Sequence, residues 1–279
     1  MKRACVIGWP VAHSLSPVIH GFWLRKYRIA GEYVKAPVKP EDFEAFFTTL
    51  GCRGFCGANI TVPHKLAAFR LCGRRDAAAE AIGAVNTVWI EDGGLAGSNT
   101  DALGFLANLD ESVPYWDRNG TAAVIGAGGA ARAVVWALVQ RGFQDISIAN
   151  RSRERAAELC AAFAVGKSFD LAAAGDALYG ATLVINCTSL GMTGCDSLEI
   201  DLGPVAANAI VCDIVYDPLE TALLRQAREK GLRAVDGLGM LLHQAVPGFE
   251  KWFGIRAEVT AELRSTVLAA IDARRSPLP

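Results

Sequence analysis

Ala122-Ala123-Val124-Ile125-Gly126-Ala127-Gly128-Gly129-Ala130-Ala131-Arg132 runs from an apolar stretch into a glycine turn and then into a helical pattern that continues through Arg141. Strand, G-x-G-x-x-A and helix in that order fit a dinucleotide fingerprint. Gly126 permits the tight turn, Gly128 lets backbone N–H groups approach a pyrophosphate, and Ala131 allows close helix–sheet packing. Ala127, Gly129 and Ala130 complete the small-residue cradle. The competing account is a turn of small residues that merely packs tightly, and the strand before and helix after weigh against it.

The next βα turn bears on which dinucleotide is bound. An acid is expected ~20 residues beyond the glycines to bond the ribose 2′-OH of NAD. Asn150-Arg151-Ser152-Arg153 stands there instead. A carboxylate repels a 2′-phosphate, whereas an Arg fork donates to it bidentately and Asn or Ser can also donate to it. Arg155, one helical turn beyond Arg151, can face the same phosphate. The pattern points to NADP rather than NAD, against the plainer account of a solvated Arg on a first helical turn.

Outward from this unit the alternation persists. Strands are expected at Asp145–Ala149, Leu183–Cys187 and Ile210–Ile214, with a helix at Ser152–Phe163, which is βαβ periodicity. The first third reads as strand Ala4–Gly8, helix Pro17–Ile29, strand Tyr33–Pro37, a helix after Pro40 through Leu50, and strands at Gly57–Val62 and Ala84–Ile90. The turn-rich stretch between Asn108 and Thr121 lacks clean periodicity and lies close to a boundary. After Gly237 the chain turns helical, and such a tail can pack back onto the first lobe. The fold class expected is α/β with two lobes: an N-terminal α/β lobe, a Rossmann-type dinucleotide-binding lobe, and C-terminal helices returning to the first. The boundaries expected are 1–101 completed by 237–279, and 102–236.

Composition agrees with a globular chain. The 279 residues are 52% hydrophobic and 20% charged, with mean hydropathy +0.25, enough apolar material for a large core. A net charge of −1 argues against a dedicated nucleic-acid binder or a polybasic membrane-surface protein. No apolar window reaches the ~18 residues of a membrane span. The eight cysteines are scattered with no C-x-x-C pair, which disfavours disulfides and structural zinc and suits a cytoplasmic location. Oligomeric state stays open, a homodimer included.

Polar residues recur where apolar ones would be cheaper to bury. Asn59, Thr61 and Lys65 lie on or just after the strand-like Gly57–Val62, where Lys65 can reach a carbonyl or hydroxyl in a cleft or simply lie exposed at a helix start. Asn86 and Thr87, and Asn99-Thr100-Asp101, repeat the pattern, with Asx turns and helix caps as rival explanations. Asp101 precedes a helical pattern, so N-capping competes with catalysis there. His13-Ser14-Leu15-Ser16-Pro17 makes Ser16 an N-cap candidate, or places two hydroxyls at a helix N-terminus to bind an anion such as a carboxylate.

Taken together, these segments resemble the shikimate dehydrogenase family in matching order from Val6 to about Gln244. Besides the motifs above, Gly8-Trp9-Pro10, Gly83–Thr87, Gly104-Phe105, Asn186-Cys187-Thr188-Ser189 with Gly191-Met192, Asp213–Pro218 and Asp236–Met240 carry the likeness. The resemblance implies an enzyme that reduces 3-dehydroshikimate to shikimate with NADPH, its substrate cleft between the lobes, without nucleic-acid or membrane partners. It implies that Lys65 and Asp101 are the catalytic pair, and that Ser14 and Ser16, helped by Tyr216, hold the substrate carboxylate. It implies further that Thr61, Asn86 and Gln244 bond ring hydroxyls, with Asn59 also among the substrate residues. Thr188, Met192, Gly237 and Met240 would line the nicotinamide side, and Ile214 joins them as a cofactor residue. Gly21 departs from the Asn that often follows His in the family, and Cys187 replaces a usual Ala.

The chemistry gives Lys65 a task independent of the resemblance. Hydride addition to a ketone develops an alkoxide that needs a proton or a positive partner, which an ammonium supplies. A carboxylate beside it stabilises the cationic form. Two other readings compete: a quinate/shikimate dehydrogenase of broader substrate use, and a non-catalytic NADP-binding sensor. Ser16, where quinate-preferring relatives often resemble Thr, favours shikimate over quinate, and retention of both Lys65 and Asp101 argues against the sensor.

Overall fold

The computed structural model describes residues 1–118 and 120–275. The chain divides into two units, Met1–Thr100 with the segment from Leu242 onward, and Asp101–Leu241. Asn119 of the turn-rich stretch and residues 276–279 of the expected C-terminal segment lie outside the described residues.

The first unit opens with β1 (Lys2–Gly8), α1 (Ser16–Lys26), β2 (Gly31–Pro37), α2 (Phe43–Thr48), β3 (Gly57–Ile60), α3 (Lys65–Leu71), β4 (Arg74–Arg75), α4 (Ala77–Ile82), β5 (Thr87–Glu91) and β6 (Gly94–Ser98). Its sheet has the order β2-β1-β3-β5-β6-β4. β1 pairs in parallel with β2 and β3, but β5 runs antiparallel to both β3 and β6. The expected strand over Ala84–Ile90 therefore begins only at Thr87, after Gly83 ends α4 in a left-handed conformation. Asp92 and Gly93, both at positive φ, join β5 to β6 as a two-residue hairpin, the turn for which Asp-Gly is favoured. The helix expected from Pro40 through Leu50 begins as a 3-10 turn, and α2 ends at Thr48.

The second unit contains α5 (Asp101–Ser112), β7 (Ala122–Ile125), α6 (Gly129–Gln140), β8 (Ile146–Asn150), α7 (Arg153–Phe163), β9 (Ser168–Asp170), α8 (Ala174–Leu178), β10 (Leu183–Asn186), β11 (Ile210–Asp213), α9 (Ala222–Glu229), β12 (Arg233–Val235) and most of α10 (Leu238–His243). The sheet is parallel throughout, in the order β12-β11-β10-β7-β8-β9. β7, β10 and β11 are buried along their whole length, as strands covered on both faces must be. The order of connection reverses between β7 and β10, so their carboxyl ends flank the crevice where doubly wound sheets bind ligands.

α11 (Ala245–Phe253) and α12 (Ala261–Arg275) return to the first unit. Trp252 of α11 is fully buried and donates from Nε1 to the Val88 carbonyl of β5 at 2.8 Å. Arg274 of α12 reaches the carbonyls of His13 and Ser14. Phe43, Phe47, Leu50, Ile7 and Ile60 belong to the first unit's core.

Candidate active site

The glycine turn follows β7 at the switch point. Gly126 has φ +109, and a Cβ there would stand 3.0 Å from Thr188 Cγ2 and 3.2 Å from the Cys187 carbonyl carbon. Only glycine meets both demands without strain. Gly128 is the N-cap of α6, with no side-chain cap and no acidic residue in the first turn. A Cβ on Gly128 or Gly129 would meet nothing within 4 Å. The positive end of α6 thus opens onto free space shaped by residues without side chains, which fits a pyrophosphate. Ala131 is fully buried against the sheet.

At the end of β8, Asn150 Nδ2 donates to the Ser152 carbonyl at 2.8 Å. Ser152 is the N-cap of α7, accepting from the Arg155 N–H, and its hydroxyl donates to Glu154 at 2.7 Å. That bond holds the Glu154 carboxyl below its usual range. The Ser152 hydroxyl, expected to face a phosphate, is engaged within its own turn. Arg151 and Arg155 are exposed and make no ion pair among the described residues.

The far side of the crevice is held by a polar network. Thr188 donates from its hydroxyl to Asn186 Oδ1 at 2.7 Å and accepts from the Leu190 N–H. Asn186 Nδ2 donates to Asp213 Oδ1 at 3.0 Å. Asp213, fully buried at the end of β11, also accepts from Thr221 and the Val215 N–H. Burial pushes its carboxyl up, and these three donors pull against that shift. A Cβ on Gly237 would lie 2.2 Å from the Ile214 carbonyl oxygen, so these two expected cofactor residues are packed together. Met240 is buried in α10, and Met192 is 43% exposed. Tyr216 is half-buried in the segment after β11.

In the first unit, α1 starts differently from expectation. Leu15, not Ser16, is the N-cap, and Ser16 is the first helical residue. The buried Leu15 carbonyl accepts from Val18 and Ile19, while Ser14 Oγ accepts from the Ser16 N–H at 3.3 Å. Asp101 likewise stands inside α5 as its first residue, rather than before the helix as a cap. Lys65 opens α3 half-buried, and its carbonyl accepts from the Val85 N–H at 3.1 Å. The preceding His64 is buried, stacked on Phe43 at 4.3 Å, with Nε2 2.8 Å from the Val38 carbonyl. A carbonyl only accepts, so Nε2 carries the proton. The backbone entering Lys65 is thus pinned from two sides.

Asn59 and Asn86 lie in one buried network. Tyr33 OH donates to Asn59 Oδ1 at 2.6 Å, and Asn59 Nδ2 donates to Thr87 Oγ1 at 3.1 Å. Asn86 Oδ1 accepts from the Thr87 hydroxyl at 2.9 Å and from the Thr100 N–H at 2.8 Å. The Thr100 hydroxyl reaches the carbonyl of Gln244, the N-cap of α11, at 2.8 Å, tying the start of α11 to the network. Thr61, half-buried, follows β3, its N–H donating to Ile7. Sequence reading missed Tyr33 and His64 as supports, because their partners lie 26 residues away along the chain.

A glycine cradle at the switch point of a parallel sheet, and a second α/β unit bearing a fixed polar cluster, define a two-unit protein of the dinucleotide-dependent dehydrogenase class. Residues 6–88 match the shikimate dehydrogenase substrate binding domain, 115–193 the shikimate/quinate 5-dehydrogenase domain, and 237–261 the shikimate 5′-dehydrogenase C-terminal domain. A shikimate dehydrogenase (NADP(+)) of Mesorhizobium japonicum is 55% identical over 96% of each chain. The solved shikimate 5-dehydrogenase of Thermus thermophilus, in complex with NADP(H) and shikimate, superposes with TM-score 0.86 at 34% identity, over 98% of this chain and 99% of that one. The quinate dehydrogenase of Corynebacterium glutamicum, in complex with NAD, superposes with TM-score 0.88 at 31% identity, over 96% and 99%. The chain belongs to the shikimate dehydrogenase family.

Proposed function

We propose that the protein catalyses the reversible NADPH-dependent reduction of 3-dehydroshikimate to shikimate. Residues 1–101 with 237–279 form the domain that carries Lys65, Asp101 and most of the substrate residues, and 102–236 the domain that carries the glycine turn and the 2′-phosphate residues. The observation that carries the reading is Lys65: a half-buried ammonium on a helix start fixed by His64 and Val85, in the same unit as an Asn86 whose amide is anchored by backbone. The identity to NADP(+)-named relatives supports it. The eight cysteines, all free thiols, support a reducing cytoplasm as its location.

Gly126–Ala130 receive the pyrophosphate, Arg151 with Arg155 and Asn150 the 2′-phosphate, and Thr188, Met192, Ile214, Gly237 and Met240 surround the nicotinamide. NADPH bound there supplies a hydride. Ser14, Ser16 and Tyr216 hold the substrate carboxylate, and Thr61, Asn86 and Gln244 its hydroxyls. Lys65 stabilises the developing alkoxide and delivers its proton, with Asp101 as its functional partner.

A residue acting only in the transition state lowers kcat with little change in KM. Lys65→Ala should therefore lose about 10²-fold or more in kcat at nearly unchanged shikimate KM. Asp101→Asn should lose much of its activity, and the double variant should be little worse than the worse single. Near-normal kcat in folded Lys65→Ala, or multiplicative losses in the pair, would sink the assignment.

A further inference from the structure

Hydrogen-bond direction can be traced through the buried network of the first unit. The Thr100 backbone N–H can only donate, so the Asn86 side-chain atom 2.8 Å away is the oxygen. The Asn59 side-chain atom facing the Asn86 backbone carbonyl at 3.4 Å must be the nitrogen, since two acceptors would repel. That nitrogen donates to Thr87 Oγ1, and of the two acceptors the Thr87 hydroxyl faces, Asn86 Oδ1 at 2.9 Å is nearer than Thr100 Oγ1 at 3.2 Å. At the other end Asn59 Oδ1 faces Tyr33 OH, which must be the donor. Both amides have one orientation, and with the Thr87 hydroxyl on its nearer acceptor the direction runs Tyr33, Asn59, Thr87, Asn86.

The start of the chain is itself immobilised. Tyr33 and Asn59 are buried, and the Tyr33 ring stacks on the fully buried His20 at 4.0 Å. Asn59 and Thr87 are cross-strand partners of β3 and β5, so the sheet register holds the link between them. Both ends of the Asn59 amide are engaged in the interior.

We propose that Tyr33, Asn59 and Thr87 are positioning residues whose one-way hydrogen-bond chain fixes the Asn86 amide with its oxygen inward, so that Nδ2 is the group that meets substrate. Asn86 then recognises an oxygen that accepts, such as a ring hydroxyl. This rests on the reading of Asn86 as a substrate residue, and it makes Asn59 a support rather than a contact. A reversed amide would present its oxygen, and the hydroxyl would have to turn its proton toward it.

Steady-state kinetics of the full-length protein with shikimate and NADP test this. Thr87→Val keeps shape and removes the hydroxyl that accepts from Asn59, donates to Asn86 and faces Thr100. Losing this orienting link should raise shikimate KM about three- to ten-fold, with NADP KM unchanged. Tyr33→Phe should shift shikimate KM in the same direction, and Thr87→Ser, which keeps the hydroxyl, should restore wild-type values. In an Asn86→Ala background Thr87→Val should add less than about two-fold. The proposal is overturned if Thr87→Val leaves shikimate KM unchanged while Asn86→Ala raises it, if the two effects multiply, or if NADP KM rises equally. If Asn86→Ala leaves shikimate KM unchanged, the underlying substrate assignment fails, and the chain's role fails with it.

Discussion

Arg151 and Arg155 make no ion pair among the described residues, while between them Ser152 and Glu154 bond to each other. A guanidinium at the end of β8 without a carboxylate partner suits a phosphate dianion. Arg151→Ala should raise NADP KM about ten-fold or more, for a charge-assisted contact worth roughly 1.5–3 kcal/mol. NAD kinetics should barely change; equal weakening of both cofactors would make Arg151 a solvated helix-start residue. Asn150→Asp should move the ratio of kcat/KM values toward NAD, because a carboxylate there accepts from a 2′-OH and repels a 2′-phosphate. His20 makes a different kind of prediction. Its ring lies among Trp23, Tyr33, Phe249 and Trp252, with the Asn59 side chain facing it but neither nitrogen at hydrogen-bonding geometry. Burial pushes the imidazole down to about 3 from 6.5. The unfolded chain therefore takes up this proton near pH 6.5 and the native protein only near pH 3, so stability falls as pH drops through that window. Between pH 7 and pH 5 the loss is about 2 kcal/mol. His20→Phe should remove that increment, and its urea midpoint should fall less over the same interval; an equal fall would contradict the assignment.

The glycine turn separates two effects within one element. Gly126→Ala must strain a φ of +109 and press on Thr188, so it should lower both stability and NADP affinity. Gly128→Ala meets nothing in the free protein and should stay within about 1 kcal/mol of wild-type stability while losing NADP binding. Chemical denaturation and NADP titration of both variants distinguish packing from cofactor approach. This turn is legible in the sequence because its spacing is local and each glycine has a stated task. The Asp92-Gly93 hairpin is equally local, yet the polar residues around it point as readily to caps, and they mask the antiparallel β5–β6 pair. β9 and β12, with three residues each, are too short to show a period. Ser16 stands one position away from the expected cap, since the buried Leu15 and the Ser14 hydroxyl settle where α1 begins. Tyr33, Asn59 and Thr87 meet across 26 and 28 residues of chain, a juxtaposition that sheet register creates and no spacing encodes.

Over the whole molecule, the chain makes the first unit from both of its ends. α11 closes the first sheet through the fully buried Trp252 and its bond to Val88. Trp252→Ala should cost about 3–5 kcal/mol of stability, read as a lowered denaturation midpoint; a shift under about 1 kcal/mol would mean that α11 is not integral to the unit. The parallel second unit is legible as a whole because its buried strands alternate with helices, whereas the mixed first sheet depends on pairings distant in sequence. The fold is shared with a solved quinate dehydrogenase in complex with NAD, so architecture alone does not decide substrate or cofactor. The decisive measurement is the initial rate at 340 nm of the wild-type protein with shikimate or quinate, each against NADP or NAD. Shikimate with NADP should give a kcat/KM at least about ten-fold above every other pair, in line with the contact proposed between Arg151 and a 2′-phosphate. Equal use of NAD, preference for quinate, or no turnover with any pair would contradict the account.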